Sequence, residues 1–428
     1  MAHDPLRAQS FSLIAGCVVA VIGVAVCAML AFFRPNTPVG DAAIVMARDS
    51  GALYVRVGDT LHPVPNLTSA HLIAGNPEKP RVVSDAQIHN AKRGPLLGIP
   101  GAPAVIANPL SDNESAWTVC DDTSTTVVAG HIDEPDPRDR QPSLLVSARS
   151  EGAATTYLLY DGQRARVDLR NPAVVWALRL EGVKPRPVSR TLLDTIPEAP
   201  PIVVPRIPDA GSPSAVAHMR VGNVVRALRV DSDDFFVVLT DGVQRIGEVA
   251  ANLIRSLDSN GSRDIPAVSP DIVSAIPAVD SLAVSSYPPH AGAALGAGDG
   301  GVLCVTWLPD GPKTSLWMAN SMPDENTSTV LAQADGEGPD VDNVAMPSGR
   351  SAYVRATSLT GDSGSGPLYL VSDSGVLFGI RDEATAAALG LRSAAVAAPW
   401  PLLSALPRGP ELNRDSASVA RDGVGSPP

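Results

Sequence analysis

Tyr157-Leu-Leu-Tyr-Asp161-Gly162, followed by Val188-Ser189-Arg-Thr-Leu192 and then Ile196-Pro197, sets the pattern of this chain. An apolar run closed by Asp-Gly is a strong hairpin signal, because both residues tolerate positive φ. Ser189 suits a helix N-cap, Leu192 and Ile196 lie four apart on one helix face, and Pro197 stops the helix. The same order recurs. Ala52-Leu-Tyr-Val-Arg-Val-Gly58-Asp59 precedes Val83-Ser84-Asp-Ala-Gln-Ile88. Phe236-Val-Val-Leu-Thr-Asp241-Gly242 precedes Val268-Ser269-Pro270-Asp-Ile272 and Ile276-Pro277. Tyr369-Leu-Val-Ser-Asp-Ser-Gly375 precedes Pro399-Trp-Pro-Leu402 and Leu406-Pro407. Helix-like segments at 172–178, 248–254 and 383–389 stand between the two halves. The repeating unit is therefore strand, hairpin, helix, helix, about 50 residues long.

These copies divide the chain. Repeats are expected at 51–103, 155–210, 235–282 and 365–410. Core segments at 104–154, 211–234 and 283–364 carry both soluble cysteines and further strand-like runs, such as Leu144-Leu-Val-Ser and Ser351-Ala-Tyr-Val-Arg-Ala. Residues 411–428 are polar and free of aromatics, and read as a disordered tail.

Upstream, Phe11 to Phe33 carries no charge, with Arg7 before it and Arg34 after it. As a helix it reaches about 34 Å, enough to cross a hydrocarbon core. A cleaved signal would have a shorter apolar region and a small-x-small site. Ile14-Ala15-Gly16-Cys17 has too short an apolar run before it for a lipoprotein. The expectation is a retained anchor over 11–33, with a short cytosolic end at 1–10 and a linker at 34–50. Ala15, Gly16, Ala20 and Gly23 would allow close packing against other membrane helices.

The net charge of −12, from 33 Lys+Arg against 45 Asp+Glu, argues against nucleic acid. Forty Pro and 36 Gly mean short elements and frequent turns. Four cysteines are present. Cys17 and Cys27 fall on different faces of the anchor helix. Cys120 and Cys304 are the two in the soluble part, in mirrored settings: Trp117-Thr-Val-Cys120 and Cys304-Val-Thr-Trp307. Such a pair suggests one disulfide and an oxidising, extracytoplasmic compartment, with two unrelated buried thiols as the alternative. Flanking charge does not settle the topology; the cysteine pair argues for N-terminus in and C-terminus out.

Chemistry-bearing motifs are sparse. Gly361-Asp-Ser363-Gly-Ser-Gly-Pro367 resembles a serine-protease nucleophile loop with one inserted residue, but no partner His motif accompanies it. The Gly-rich stretch Gly292–Gly301 contains no Lys and is not set between a strand and a helix, so it is not a phosphate loop. The seven His lack zinc-ligand spacing. Asp133, Glu134, Asp136 and Asp139, interleaved with Arg138 and Arg140, read as a solvated loop rather than a calcium site. Asn66, Asn113 and Asn326 match the N-glycosylation pattern, which matters only in a glycosylating pathway. No catalytic residue and no metal ligand is assigned.

His3-Asp-Pro-Leu-Arg-Ala-Gln-Ser10, Val39-Gly-Asp-Ala-Ala-Ile-Val-Met46, Ser50-Gly-Ala-Leu-Tyr-Val-Arg-Val-Gly-Asp-Thr-Leu-His-Pro-Val64, Asn66-Leu-Thr-Ser-Ala70 and Arg93-Gly-Pro-Leu-Leu-Gly-Ile-Pro-Gly-Ala102 resemble the EccB family, the single-pass membrane component of type VII (ESX) secretion systems. The resemblance is dense from residue 3 to about 103 and continues to about 410. It implies an α+β, mostly β protein: a single N-terminal transmembrane helix, then an elongated periplasmic domain with a β-rich central core and four small repeat domains. It implies a Cys120–Cys304 disulfide and a structural role in an inner-membrane complex. The implied partners are EccC, EccD, EccE, a mycosin protease, the lipid bilayer and further copies of the chain in a hexamer. Family members are sometimes labelled ATP hydrolases, and ATP enters by that attribution alone, since no Walker motif is present. A cell-wall-binding anchor is a third reading, because small repeated modules often bind polymers. The family has a cytosolic stretch of some tens of residues before the His-Asp-Pro-Leu-Arg motif, whereas Met1-Ala precedes it here.

Overall fold

The computed structural model describes residues 5–32, 40–132, 143–149, 155–214, 216, 218–228, 233–256, 265–309, 313–323, 328–361 and 365–423. A helix covers Pro5–Phe32, about 42 Å at 1.5 Å per residue. Its side chains are described from Ala15 to Met29, all exposed. Among the described residues no helix is long and apolar enough to cross a membrane.

The rest is strand-rich and mixed α/β. Four modules share one connectivity. In the second, Leu144–Ala148 pairs antiparallel with Thr156–Tyr160, which pairs antiparallel with Gln163–Val167. A helix, Pro172–Ala177, leads to Arg186–Val188, parallel to the first strand. A second helix, Arg190–Asp194, leads to Glu198–Ile202, parallel to the third strand. The first module repeats this order through Ile44–Ala47, Leu53–Val57, Thr60–Val64, helix Leu67–Ala74, Arg81–Val83, helix Asp85–His89 and Lys92–Arg93. The third uses Val224–Leu228, Asp233–Val238, Val243–Ile246, helix Glu248–Arg255, Ala267–Val268 and helix Pro270–Ser274, closing with a parallel bridge from Val243 to Ala278. The fourth uses Arg350–Thr357, Leu368–Val371, Leu377–Ile380, helix Glu383–Ala388, Val396–Pro399 and helix Trp400–Leu403, closing with Leu377 bridged to Arg408.

Local chemistry explains the recurrence. Asp161 and Gly162 sit at φ 46° and 72°, so the second hairpin turns where the sequence places Asp-Gly. Ser84 and Gln87 form a capping box, and the Ser189 hydroxyl accepts from Leu192 N at 3.2 Å. Pro270 occupies the first turn after Ser269.

Each module begins one strand earlier than the sequence boundaries place it. Ile44–Ala47 falls in the expected linker, and Leu144–Ala148, Val224–Leu228 and Arg350–Thr357 fall in expected core segments. The Asp-Gly signal marks only the second turn of each meander. The connection before it varies in length between modules, so no fixed spacing betrays the first strand. A correction also applies to 411–428. Its described part is folded: Asn413 caps the helix Arg414–Ala417, and Ala420–Arg421 pairs antiparallel with Leu96–Leu97. Asn413 and Ala417 are buried. The pairing partner lies over 300 residues upstream, so local polarity carries no trace of it.

The chain forms two compact units, Met1–Pro100 with Asn413–Pro428, and Gly101–Leu412. The second holds modules two to four and a six-stranded sheet ordered Lys313–Ala319, Val302–Leu308, Trp117–Asp121, Thr125–Ala129, Asn343–Ala345, Ser328–Val330. Trp117, Val305, Trp307, Leu192 and Leu402 share one buried cluster, so this sheet packs with modules two and four. Leu158, Val174, Val237 and Leu253 form a second cluster joining modules two and three. The described residues of 211–234 contribute no strand to the central sheet; the strand Val224–Leu228 belongs to module three.

Candidate functional site: the bridged central sheet

Trp117–Asp121 and Val302–Leu308 pair antiparallel with Trp117 opposite Trp307, Thr118 opposite Thr306, Val119 opposite Val305 and Cys120 opposite Cys304. The mirrored sequences thus place like against like. Side chains alternate between faces with period two. Val119, Trp117 and Trp307 enter the large core, and the Trp307 indole donates to Leu359 O at 3.1 Å. On the opposite face Cys120 and Cys304 are fully buried with Val302 and Trp317. Their sulfurs are bonded, with Cα atoms 4.1 Å apart and a sequence separation of 184. Beside them Thr118 and Thr306 hydroxyls hydrogen bond at 2.9 Å, and the Trp317 indole donates to Thr306 at 3.0 Å. Cys17 and Cys27 are free and exposed.

Asp121 follows the bridge and is buried. Its carboxylate accepts from Arg149 Nη2 at 2.5 Å and from the backbone N–H of Ser189, the N-cap of module two's second helix. Arg149 also donates to Asp122 O, and Arg186 donates to Asp121 O and, at 2.6 Å, to Gly301 O. Burial pushes the Asp121 carboxyl up from its ordinary value, against the lowering influence of Ser189 and Arg149. One carboxylate therefore ties the bridged strand to module two. Glu114 does the same at module four: it receives Arg350 Nη1 at 3.2 Å and Nη2 at 2.7 Å. Those bonds and Ser111 bring its carboxyl down to about 2. Sequence reasoning missed both pairs, because their partners are remote and no short motif marks them.

Other singled-out residues are placed as follows. Ala15, Gly16, Ala20 and Gly23 are exposed along the N-terminal helix, and a Cβ at Gly16 or Gly23 would meet nothing within 4 Å. Asn66 is buried; its side chain accepts from Ser69 N and donates to Ile99 O, which leaves no room for a glycan. The acidic run 133–140, residues 362–364 of the protease-like stretch and Asn326 lie outside the described residues. In the Gly-rich stretch four N–H groups are engaged by protein acceptors: Leu295 to Ser143 O, Gly296 to the Asp299 carboxylate, Ala297 to Lys184 O and Asp299 to Gly296 O. Among the described residues no group of three His, Cys, Asp or Glu stands close enough to hold a metal.

The family model for type VII secretion system ESX-1, transport TM domain B, matches residues 1–426. The ESX-3 secretion system ATPase EccB3 of Mycolicibacterium smegmatis is 37% identical over 453 residues, covering 100% of this chain and 87% of that protein. The ESX-2 secretion system ATPase EccB2 of Mycobacterium tuberculosis is 37% identical over 456 residues, covering 99% and 90%. Among solved structures, a chain of the intact ESX-5 inner membrane complex matches with TM-score 0.75 and 30% identity, covering 100% of this chain and 91% of that one. The EccB3 dimer from the ESX-3 core complex matches with TM-score 0.76 and 34% identity, covering 89% and 100%. This chain belongs to the EccB family of type VII (ESX) secretion proteins.

Proposed function

We propose that this chain is a membrane-anchored scaffold subunit of an ESX inner-membrane complex. In this reading its N-terminal helix crosses the membrane and its four modules and bridged sheet stand in the periplasm. The observation that carries it is the likeness, over the full chain, to a chain of an ESX-5 inner membrane complex. The buried bridge, the two ionic ties and the shared cores suit a rigid structural part. The four modules of one connectivity support their reading as repeat domains. Gly16, Ala20 and Gly23, at spacings of four and three, would form a small-residue face packing against neighbouring membrane helices. EccC, EccD, EccE and a mycosin protease are the partners the family resemblance offers, with the chain repeated in a hexamer.

ATP comes to this chain only through the names of its relatives. The Gly-rich stretch Gly292–Gly301 has no Lys and spends four of its N–H groups on protein acceptors, so no hydrolytic step is assigned to it. The test is purification of the detergent-extracted complex from native membranes, with mass and composition measured. This chain is expected in it together with the other membrane components. A complex of full composition that lacks this chain would sink the reading. Gly16→Leu and Gly23→Leu are expected to reduce recovery of the assembly while leaving the amount of membrane-inserted chain unchanged.

A further inference from the structure

A cleft of about 800 Å³ opens beside module two, lined among others by Arg149, Tyr157, Arg164, Arg190, Asp194 and Glu337. Three guanidinium groups line one concavity. Arg149 is nearly buried, with its side chain 9% exposed, and Arg164 is 13% exposed. Both are only partly used by the protein. Arg149 spends Nη2 on Asp121 and Asp122 O, and Arg164 spends Nη1 on Asp194 at 3.2 Å and Nη2 on Glu198 at 3.3 Å. Among the described residues Arg149 Nη1 and Arg164 Nε are buried and have no hydrogen-bond partner. A buried charged donor left unpaired keeps its desolvation penalty uncompensated, which is rare in folded proteins. Arg190 is an exposed lining residue with its charge directed to no described acid. The Tyr157 ring lies 5.3 Å beneath the Arg164 guanidinium and holds its plane, while Leu193 and Pro339 supply apolar wall.

We propose that this cleft binds an oxyanion-bearing ligand, a carboxylate or a phosphate group, through the guanidinium groups of Arg149, Arg164 and Arg190 that line it. Guanidinium forks match both oxyanions, and partial burial strengthens each bond over its value in water. The proposal is independent of the secretion role: the cleft lies wholly within Gly101–Leu412 and uses neither the bridge nor the membrane helix. Asp194 and Glu337 in the lining set a limit on charge. A singly or doubly charged group fits, whereas a polyanion would meet both carboxylates.

The test is isothermal titration of the full chain in detergent at low ionic strength, with inorganic phosphate in one arm and succinate in the other, and sodium chloride as the control. Saturable one-to-one binding of either anion is expected, the stronger arm naming the ligand class. Arg190→Gln alters an exposed residue, so its melting temperature should equal that of the parent, yet it should weaken binding at least tenfold. Arg164→Gln should weaken it further. No saturable heat with either anion, or an affinity unchanged in Arg190→Gln and Arg164→Gln alike, would overturn the proposal.

Discussion

At the residue scale, the bridge and its neighbouring acid do different work. The Cys120–Cys304 bond closes a loop of 184 residues, which in the chain-entropy model stabilises the fold by about 5 kcal/mol. Cys120→Ser is therefore expected to lower the melting temperature markedly. After denaturation without reductant it should take up alkylating reagent at three cysteines, where the parent takes it up at Cys17 and Cys27 only. Asp121→Ala strands the Arg149 charge in a buried site, and its expected cost is about 3–5 kcal/mol by chemical denaturation. Glu114 makes the pH dependence. Its carboxyl is held below its ordinary 4.5, at about 2, by Arg350 and Ser111. The folded state thus favours the ionised form. The stability it contributes is complete above pH 4.5 and is lost as pH falls through about 2. Glu114→Gln should flatten that segment of the stability profile; a profile identical to the parent's would remove Glu114 from the account.

At the element scale, the modules depend on turns and on a returning segment. Gly162 holds φ 72°, and a Cβ there would come within 2.3 Å of Thr314 O on the edge strand of the central sheet. Gly162→Ala meets both a conformational and a steric penalty and is expected to cost about 2 kcal/mol, read as a shift in denaturation midpoint with unchanged slope. The helix Arg414–Ala417 packs on Leu67–Ala74, and Arg421 Nε donates to Gly98 O at 3.1 Å. Truncation after Leu412 should raise amide exchange across 44–99 and leave the strands at 117–129 unchanged. Exchange unaltered in both regions would show that the returning segment is dispensable.

At the scale of the whole molecule, the division into Met1–Pro100 with Asn413–Pro428 and Gly101–Leu412 has a thermal consequence. Calorimetry is expected to show two transitions. A reductant strong enough to open the buried bridge should move only the transition of 101–412, which contains both cysteines. A single transition displaced as a whole would mean that the two units unfold together.

Residue order alone determined a good deal. The uncharged run after Arg7, the four Asp-Gly or Gly-marked hairpins, the Ser caps and the mirrored Trp-Thr-Val-Cys settings are local, and local backbone chemistry reads them directly. The strings shared with the EccB family named the machine. The tertiary structure decided what depends on distant partners. That each module takes its first strand from the segment before it was hidden because the connecting turn has no fixed length, and the last residues looked like a tail because their strand partner at Leu96–Leu97 is remote. The ionic ties of Asp121 and Glu114, and the arginine cleft beside module two, are assembled from residues that mean nothing singly. Burial and hydrogen-bond completion are properties of the folded neighbourhood, and no spacing along the chain encodes them.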